Sequence, residues 1–263
     1  MPRPGHDLIT IGPVEKLLIQ RTKKGPICAA LIDPEDFSPR QANDTATKAK
    51  DSGVSLIMVG GSTLANQGRL DSVVRAIKGH EPSHQGHTSH VPVVLFPGNI
   101  TGVSRYADAI LFSSLLNSIN PYFIIGAQAL GSIEVYKSRI ESIPMGYLVF
   151  GSSSAASFIG QVNNFPTSKP NLAVIYALAA KYLGMRTLYL EAGSGSADPI
   201  PAETIQAVRK VYDGILIVGG GITTAETAKK AAKAGANVLV IGNLLRSFGF
   251  EKTLREITAS IRA

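Results

Sequence analysis

A carboxylate and a short glycine-rich segment meet at the end of an apolar run in the second half of the chain. The run 187–190 stops at Glu191, and Ala192, Gly193, Ser194 and Gly195 follow it. A buried strand would hold Glu191 in place, and the glycines would let main-chain N–H groups approach an anion closely. This pattern predicts a positioned carboxylate beside a phosphate-sized loop. An ordinary strand-to-loop turn with a surface Glu191 is the alternative.

Two more glycine-rich segments stand near the end of the chain. Gly219-Gly220-Gly221 and Gly242-Asn243 each follow a short apolar run. Loops after the last two strands of α/β barrels commonly bind phosphate. We therefore expect Gly220, Gly221, Gly242 and Asn243 to donate main-chain N–H groups to an anion, with Ser194 or Gly195 completing the cradle. Tight packing of barrel glycines is the alternative.

A candidate cation site follows the first two apolar runs. Asp33 ends the first run and Ser62 follows the second. A carboxylate and a hydroxyl supply the hard oxygen ligands that suit Mg²⁺, which usually retains waters and binds substrate phosphates. Asp33 would also serve as a turn or N-cap residue before Pro34.

Four histidines and one cysteine also invite a chemical interpretation. His80, His84, His87 and His90 lie among Gly, Ser and Pro residues, and this segment shows neither helical periodicity nor partners for the rings. We interpret it as a solvated loop in preference to a metal site. Cys28 lies in an apolar run and is predicted to be a core residue.

Eight short apolar runs alternate with longer amphipathic stretches, and these elements would position the residues above. Most runs lack polar alternation, as expected of parallel strands that are covered on both faces. Eight strands alternating with helices fit an α/β fold, a (β/α)8 TIM barrel with a single domain over residues 1–263. A doubly wound open sheet is the alternative. The predicted strands are 27–32, 55–59, 91–96, 109–115, 145–150, 187–190, 214–218 and 238–241, and the predicted helices are 39–52, 66–78, 122–140, 170–183, 201–212, 224–235 and 248–262.

The composition of the chain indicates a soluble globular protein rather than a membrane-spanning one. The 263 residues are 44% hydrophobic and 17% charged, with no apolar run near the about 18 residues that cross a bilayer. The N-terminus lacks the features of a signal peptide, and Cys28 has no disulfide partner, so we expect a soluble cytoplasmic protein. The net charge of +7 suits anionic substrates or an anionic membrane surface. The basic residues are scattered, so nucleic acid binding is not predicted.

Several longer motifs together resemble geranylgeranylglyceryl phosphate synthase. The resemblance spans about residues 26–245, and its Asn-Pro-Tyr segment is similar to the archaeal-type group, with bacterial heptaprenyl enzymes as cousins. The motifs are Phe96-Pro97-Gly98-Asn99, Ala107-Asp108-Ala109, Ser114-Leu115-Leu116-Asn117-Ser118, Asn120-Pro121-Tyr122, Ile125-Gly126-Ala127-Gln128, Lys169-Pro170, Tyr176-Ala177-Leu178-Ala179-Ala180, 189–195, 219–222 and Gly242-Asn243.

The resemblance implies a modified TIM barrel that joins sn-glycerol 1-phosphate to a prenyl diphosphate. It implies Mg²⁺ at Asp33 and Ser62, and a homo-oligomer, with a hexamer favoured and a dimer as the other state. It implies that glycerol phosphate binds at Tyr189, Leu190, Glu191, Ala192, Gly193, Ser194, Gly195, Gly220, Gly221, Gly242 and Asn243. The chain departs from the family pattern at Ser152-Ser153-Ser154-Ala155, where a Pro-Gly loop is expected, and in the longer loop 79–90.

The chemistry that follows is an alkylation. The C3 hydroxyl of the glycerol phosphate would attack the allylic carbon while diphosphate leaves, with Glu191 as the catalytic general base. Mg²⁺ would neutralise the leaving diphosphate. We also expect transient contact with a membrane surface. Three alternative functions stay open: a heptaprenylglyceryl phosphate synthase, a phosphate-binding barrel lyase or isomerase, and a non-catalytic sugar-phosphate sensor.

Overall fold

The eight predicted strands form a closed parallel barrel. A computed structural model describes residues 11–63, 66–79, 91–151, 154–166, 169–196 and 198–262. The strands within these ranges are β1 (Ile27–Ile32), β2 (Leu56–Val59), β3 (Val93–Leu95), β4 (Ala109–Leu115), β5 (Glu141–Val149), β6 (Thr187–Glu191), β7 (Ile215–Gly219) and β8 (Val238–Ile241). Each strand pairs with the next, and β8 pairs with β1. The (β/α)8 prediction is confirmed, and the open sheet is excluded.

Helices alternate with the strands around the barrel. Those in the described residues are α1 (Pro13–Lys24), α2 (Pro39–Asp51), α3 (Gln67–Lys78), α4 (Ala127–Ser138), α5 (Ala155–Ile159), α6 (Pro170–Tyr182), α7 (Ala202–Arg209), α8 (Ala225–Lys233) and α9 (Phe250–Ser260). Short 3-10 turns cover Ile100–Gly102 and Asn243–Arg246, and a π-helical turn at Tyr122–Gly126 leads into α4. None of the described helices is both long and apolar enough to cross a bilayer.

Two helices differ from the sequence prediction. The sequence pattern predicts no helix within 151–169, but this segment forms α5, because the Ser154 hydroxyl accepts the N–H of Ser157 and caps a short turn. The N-terminal helix α1 is likewise absent from the predicted helices. The histidine loop, with Ser152 and Ser153, lies outside the described residues, so the interpretations of these segments stay predictions.

Side chains alternate between two cores. In β6, Tyr189 faces the barrel interior with Met58 and Met145, whereas Leu188 and Leu190 face the surrounding helices. This alternation follows from the period of two along a strand. The buried thiol of Cys28 belongs to the outer core, as predicted. The interior core blocks any passage through the barrel, so ligands must bind at one of its ends.

Helix α1 closes the end of the barrel at which the strands begin. Val14 and Leu18 pack into the interior core from below. The carboxylate of Glu141 accepts the N–H groups of Val14 and Glu15 at 2.7 and 2.8 Å, where a helix N-terminus favours negative charge. Arg186 donates two hydrogen bonds to Glu15, of 2.6 and 2.8 Å. The opposite end, where the strands terminate, is the one left for a site.

Candidate active site

A cavity opens at the carboxyl ends of the strands and encloses about 1090 Å³, including the open space at its mouth; we call it the polar cavity after the carboxylates, hydroxyls and amide on its wall. Residues from loops at opposite sides of the barrel line it together, because the strand ends converge on one rim. The predicted site residues on its wall are Asp33, Ser62, Tyr189, Glu191, Ser194, Gly195, Gly220, Gly221, Gly242 and Asn243.

Three predicted contact residues lie elsewhere. The side chain of Leu190 is fully buried in the outer core, on the face of β6 opposite to the cavity. The main chain of Ala192 bonds to Gly219, and the N–H of Gly193 donates to Glu191. The Leu190 side chain therefore points away from the cavity, whereas Gly193 holds Glu191 through its N–H group.

Glu191 is held by a hydrogen bond to each carboxylate oxygen. The hydroxyl of Tyr189 donates to Oε2 at 2.5 Å, and the N–H of Gly193 donates to Oε1 at 2.8 Å. Burial raises the pKa of Glu191 above its usual range, and the two hydrogen bonds oppose that shift. Each oxygen has a second lone pair, so the carboxylate still accepts a proton from a bound hydroxyl. Glu191 is thus a positioned proton acceptor with raised basicity.

Three aromatic rings form the floor beneath this carboxylate. Phe96, Tyr147 and Tyr189 lie with their ring centroids 5.2 to 5.3 Å apart. Burial first, and then the charge of Glu191, raise the pKa of both tyrosines well above the usual range, so their hydroxyls stay protonated. The floor keeps Glu191 in a low-dielectric setting and supplies Tyr189 as a permanent donor.

The glycines after β7 are packed against neighbouring main chain. Gly220 has φ +79°, and a Cβ atom there would lie 2.7 Å from Oε1 of Glu191 and 2.8 Å from the nitrogen of Gly193. Gly221 has φ +69°, and its Cβ would lie 2.7 Å from the nitrogen of Pro199. Only glycine fits both positions. Tight packing therefore accounts for their residue type, and main-chain contact with an anion stays a prediction.

The loops after β6 and β8 meet above the cavity. The hydroxyl of Ser194 donates to Oδ1 of Asn243 at 3.1 Å, and the Asn243 amide nitrogen lies near Gly195. Gly242 and Asn243 begin the short 3-10 turn that continues to Arg246. Two of the predicted phosphate-binding segments thus contact each other across the rim.

Asp33 and Ser62 end adjacent strands and face the same part of the cavity. Oδ1 of Asp33 accepts the N–H of Glu35 at 3.0 Å, and Oδ2 lies against Gly61, where any Cβ would overlap it. Burial is the main cause of a raised Asp33 pKa. The described residues contain no cluster of three His, Cys, Asp or Glu side chains. One carboxylate and one hydroxyl fit Mg²⁺, which takes its other ligands from water and substrate phosphates.

The cavity wall includes a basic residue, Arg246, that the sequence patterns do not predict as part of the site. Arg246 lies in the turn after β8, lines the cavity and forms an ion pair with Asp36. Its positive charge also acts on Asp33. The signal was available, because a basic residue follows the Gly242-Asn243 motif by three positions. The cavity wall therefore carries a guanidinium group, which is paired with the carboxylate of Asp36.

A second, mainly apolar groove opens from the same rim. This apolar groove runs between the outer face of β4 and helix α4, and its walls include Ile110, Phe112, Phe123, Ala127 and Val135. Five residues border both the polar cavity and the apolar groove: Ser62, Pro97, Gly98, Tyr147 and Ala156. The site can therefore hold one molecule with a charged head and a long apolar tail beside a smaller polar one.

Comparison with known proteins gives the family. The model of the PcrB family matches residues 21–261, which is most of the chain. The chain belongs to the PcrB family. A relative in this family, the geranylgeranylglyceryl phosphate synthase of Thermococcus gammatolerans, is 47% identical over 259 residues, covering 97% of this chain and 100% of the relative. The synthase of Methanothermobacter thermautotrophicus is 49% identical over 86% of this chain and 89% of its own.

A solved structure of the same kind of enzyme has the same architecture. The (S)-3-O-geranylgeranylglyceryl phosphate synthase of Thermoplasma acidophilum, in complex with sn-glycerol 1-phosphate, superimposes with a TM-score of 0.87. It is 36% identical, and the match covers 96% of this PcrB family member and 99% of that chain. The resemblance seen in the sequence motifs thus extends to nearly the whole chain.

Proposed function

We propose that this PcrB family member is a Mg²⁺-dependent prenyltransferase. It joins the C3 hydroxyl of sn-glycerol 1-phosphate to geranylgeranyl diphosphate, giving 3-O-geranylgeranyl-sn-glyceryl 1-phosphate and diphosphate, the first ether bond of archaeal membrane lipids. The observation that carries the proposal is the shared wall between the two parts of the site. A buried carboxylate in a polar cavity adjoins an apolar groove, so a hydroxyl and an allylic carbon can meet there.

The polar cavity has the size and chemistry for glycerol phosphate. The phosphate binds between the Ser194–Gly195 loop, Gly220-Gly221 and the Gly242-Asn243 turn, where main-chain N–H groups and the Ser194 hydroxyl are its donors. The glycerol hydroxyls then point at Glu191, whose position is fixed by Tyr189 and Gly193. Holding the far end of the molecule positions the C3 hydroxyl for attack.

The reaction forms one C–O bond and breaks another. The C3 oxygen attacks the allylic carbon, the bond from that carbon to the diphosphate oxygen breaks, and the bonding pair leaves with diphosphate. Glu191 takes the proton of the C3 hydroxyl, which its raised basicity favours. Asp33 and Ser62 would hold Mg²⁺, which would supply charge neutralisation to the leaving diphosphate. Arg246 adds a positive charge on the same wall.

The apolar groove takes the prenyl chain. Its entrance at Pro97 and Gly98 borders the polar cavity, so the diphosphate stays near Asp33 while the tail passes between β4 and α4. Burying the tail removes apolar surface from water, at about 25 cal/mol per Å². The groove distinguishes this proposal from a barrel lyase or isomerase acting on sugar phosphates, which needs no such space.

We also infer that the enzyme is a cytoplasmic homo-oligomer, with a hexamer favoured over a dimer. Large apolar side chains are exposed on α4 and α6, among them Ile133, Tyr136, Ile175 and Tyr182. Exposed apolar surface of this kind is typical of protein or membrane contact. The net charge of +7 suits transient contact with an anionic membrane surface, from which a prenylated substrate or product would exchange. Light scattering in solution, with Ile175→Glu as a variant, measures the oligomeric state.

One assay tests the function. Purified protein is incubated with radiolabelled glycerol 1-phosphate, Mg²⁺ and a series of prenyl diphosphates, and the lipid-soluble product is counted. We expect transfer, with geranylgeranyl diphosphate as the preferred donor. A preference for heptaprenyl diphosphate would indicate the bacterial-type activity. Binding of glycerol 1-phosphate without transfer from any donor would indicate the sensor, and absence of both would point to a lyase or isomerase.

A further inference from the structure

The wall of the apolar groove contains a glycine that neither the backbone nor the packing requires. Ala127, Gly131 and Val135 line the groove from α4 at intervals of four residues, so they share one face of the helix. Gly131 is buried, yet a Cβ atom built on it meets no described atom within 4 Å. It therefore borders empty space inside the protein.

Neither backbone strain nor crowding requires glycine at position 131. Gly131 does not have a positive φ, so its helical backbone accepts any ordinary residue. No described neighbour would collide with a Cβ atom there, unlike at Gly146 in β5, where a Cβ would lie 2.9 Å from a methyl group of Leu116. Glycine is also a poor residue for a helix interior. The remaining consequence of glycine at position 131 is the empty space beside it, which a larger side chain would fill.

The empty space beside Gly131 lies partway down the apolar groove. Helix α4 follows β4 and returns towards the start of the strand, so it runs from the rim downwards. At a rise of about 1.5 Å per residue, Gly131 lies about 6 Å below Ala127, and Val135 about 12 Å below it. Phe112 and Ile110 form the facing wall from β4. Gly131 thus stands midway between the entrance and the deep end.

We propose that the missing side chain at Gly131 lets a prenyl chain pass into the lower part of the apolar groove, so that this position decides whether the site accepts the longer chains. The inference rests on the proposed function. A side chain at position 131 would project across the groove between Ala127 and Val135 and separate its upper part from its lower part. Short prenyl chains would fit above this point, and longer chains would be forced to bend or to remain outside.

A series of substitutions tests the proposal. Gly131→Ala, Gly131→Val and Gly131→Phe are compared with geranyl, farnesyl and geranylgeranyl diphosphates, by turnover and by direct calorimetric binding. We expect the Phe variant to lose on the order of ten- to a hundred-fold in kcat/KM and in affinity with the longest donor, because a blocked pocket rejects the added length. Geranyl diphosphate should lose the least, since the shortest chain reaches the least far down the groove.

The matched control places the same side chains at Ala129, which is exposed on the outer side of the same helix. Ala129→Val and Ala129→Phe should leave the order of donor preference unchanged. Thermal melting checks that each variant is folded, and Gly131→Ala is expected to melt no lower than the parent protein, because alanine is the better helix former.

The outcomes separate the two proposals. Equal losses with all three donors in folded Gly131 variants would overturn the role of Gly131, as would a Phe variant that binds the longest donor normally. A parent protein that binds the donors without transferring them would overturn the proposed function alone, because the length-dependent loss of affinity in the variants would still be measurable. A parent protein that binds no donor would overturn both.

Discussion

The hydroxyl of Tyr189 donates a 2.5 Å hydrogen bond to Oε2 of Glu191, two residues further along the same strand. Both side chains point to the interior side of β6, because residues two apart on a strand share a face. Tyr189 is fully buried, so water cannot replace it as the donor. The hydroxyl of Tyr189 thus holds the Glu191 carboxylate from the interior of the barrel.

Tyr189→Phe should move the pH dependence of the reaction. The hydrogen bond from Tyr189 lowers the pKa of Glu191, whereas burial raises it, so removing the hydroxyl leaves burial less opposed. The pKa of Glu191 then rises further, and the carboxylate is protonated, hence inactive as a base, at a higher pH. We expect the acidic limb of the single-turnover rate to shift to higher pH.

The matched control is Tyr212→Phe. Tyr212 is also buried, and its hydroxyl donates to the carbonyl of Met185 away from the polar cavity. Its loss should cost about 1 kcal/mol of folding free energy without moving the pH profile. A Tyr189 variant whose acidic limb coincides with that of the parent enzyme would remove Tyr189 from any role in tuning Glu191.

Glu191→Gln separates catalysis from binding. The amide keeps the size of the side chain and one acceptor oxygen but has no useful basicity. We expect the transfer rate with both substrates prebound to fall by about 10²–10⁴-fold, while glycerol 1-phosphate affinity falls much less. Rapid-quench measurement of the bound complex gives the rate, and calorimetry gives the affinity. A bound complex that reacts at the parental rate would exclude Glu191 as general base.

Asp33→Asn tests the metal site. The amide keeps an oxygen ligand but loses the negative charge that attracts Mg²⁺. We expect the Mg²⁺ concentration for half-maximal transfer to rise by at least about tenfold, and chelation of Mg²⁺ to abolish transfer in the parent enzyme. Glu35→Gln is the control, because this neighbouring carboxylate does not line the cavity. Equal Mg²⁺ dependence in both variants would argue against Asp33 as a ligand.

The ion pair between Arg186 and Glu15, at the end of the barrel opposite to the polar cavity, should contribute to folding stability and not to catalysis. Arg186→Met leaves the carboxylate of Glu15, which is 1% exposed, without its cation. We expect a loss of about 3 kcal/mol in the free energy of unfolding, and partial recovery in the double variant with Glu15→Met. Lys230→Met, in the exposed pair with Glu226, should cost less than about 0.5 kcal/mol. Chemical denaturation measures all of them, and similar costs for the two pairs would contradict the expectation.

The sequence was sufficient for the parts of the site that local patterns specify. Asp33, Ser62 and Glu191 each stand at the end of an apolar run, and parallel strands must bring such ends to one rim. The apolar groove beside α4 could not be predicted from the sequence, because it depends on how β4 and α4 pack and on the space left by Gly131. Helix α1 was not predicted because its apolar face is narrow, with Val14 and Leu18 as the buried apolar positions.

The glycines after β7 show what a sequence motif leaves out. Gly220 and Gly221 lie on the cavity wall as expected, but a sequence does not reveal that Glu191 and Pro199 occupy the space beside them. Gly221→Val would strain the loop with or without a bound phosphate, so this substitution is a poor probe of phosphate binding. Variants at Ser194 are a cleaner probe, since its side chain faces the rim.

Helix α1 has a further consequence for the order in which the molecule is assembled. It is an early part of the chain to leave the ribosome, but its partner Arg186 lies 171 residues later than Glu15. Until β5 and β6 have been synthesised, α1 has no surface on which to dock, and its Val14 and Leu18 remain without their core. The helix that closes this end of the barrel therefore docks late although it is synthesised before the strands, and its Val14 and Leu18 side chains stay uncovered until then.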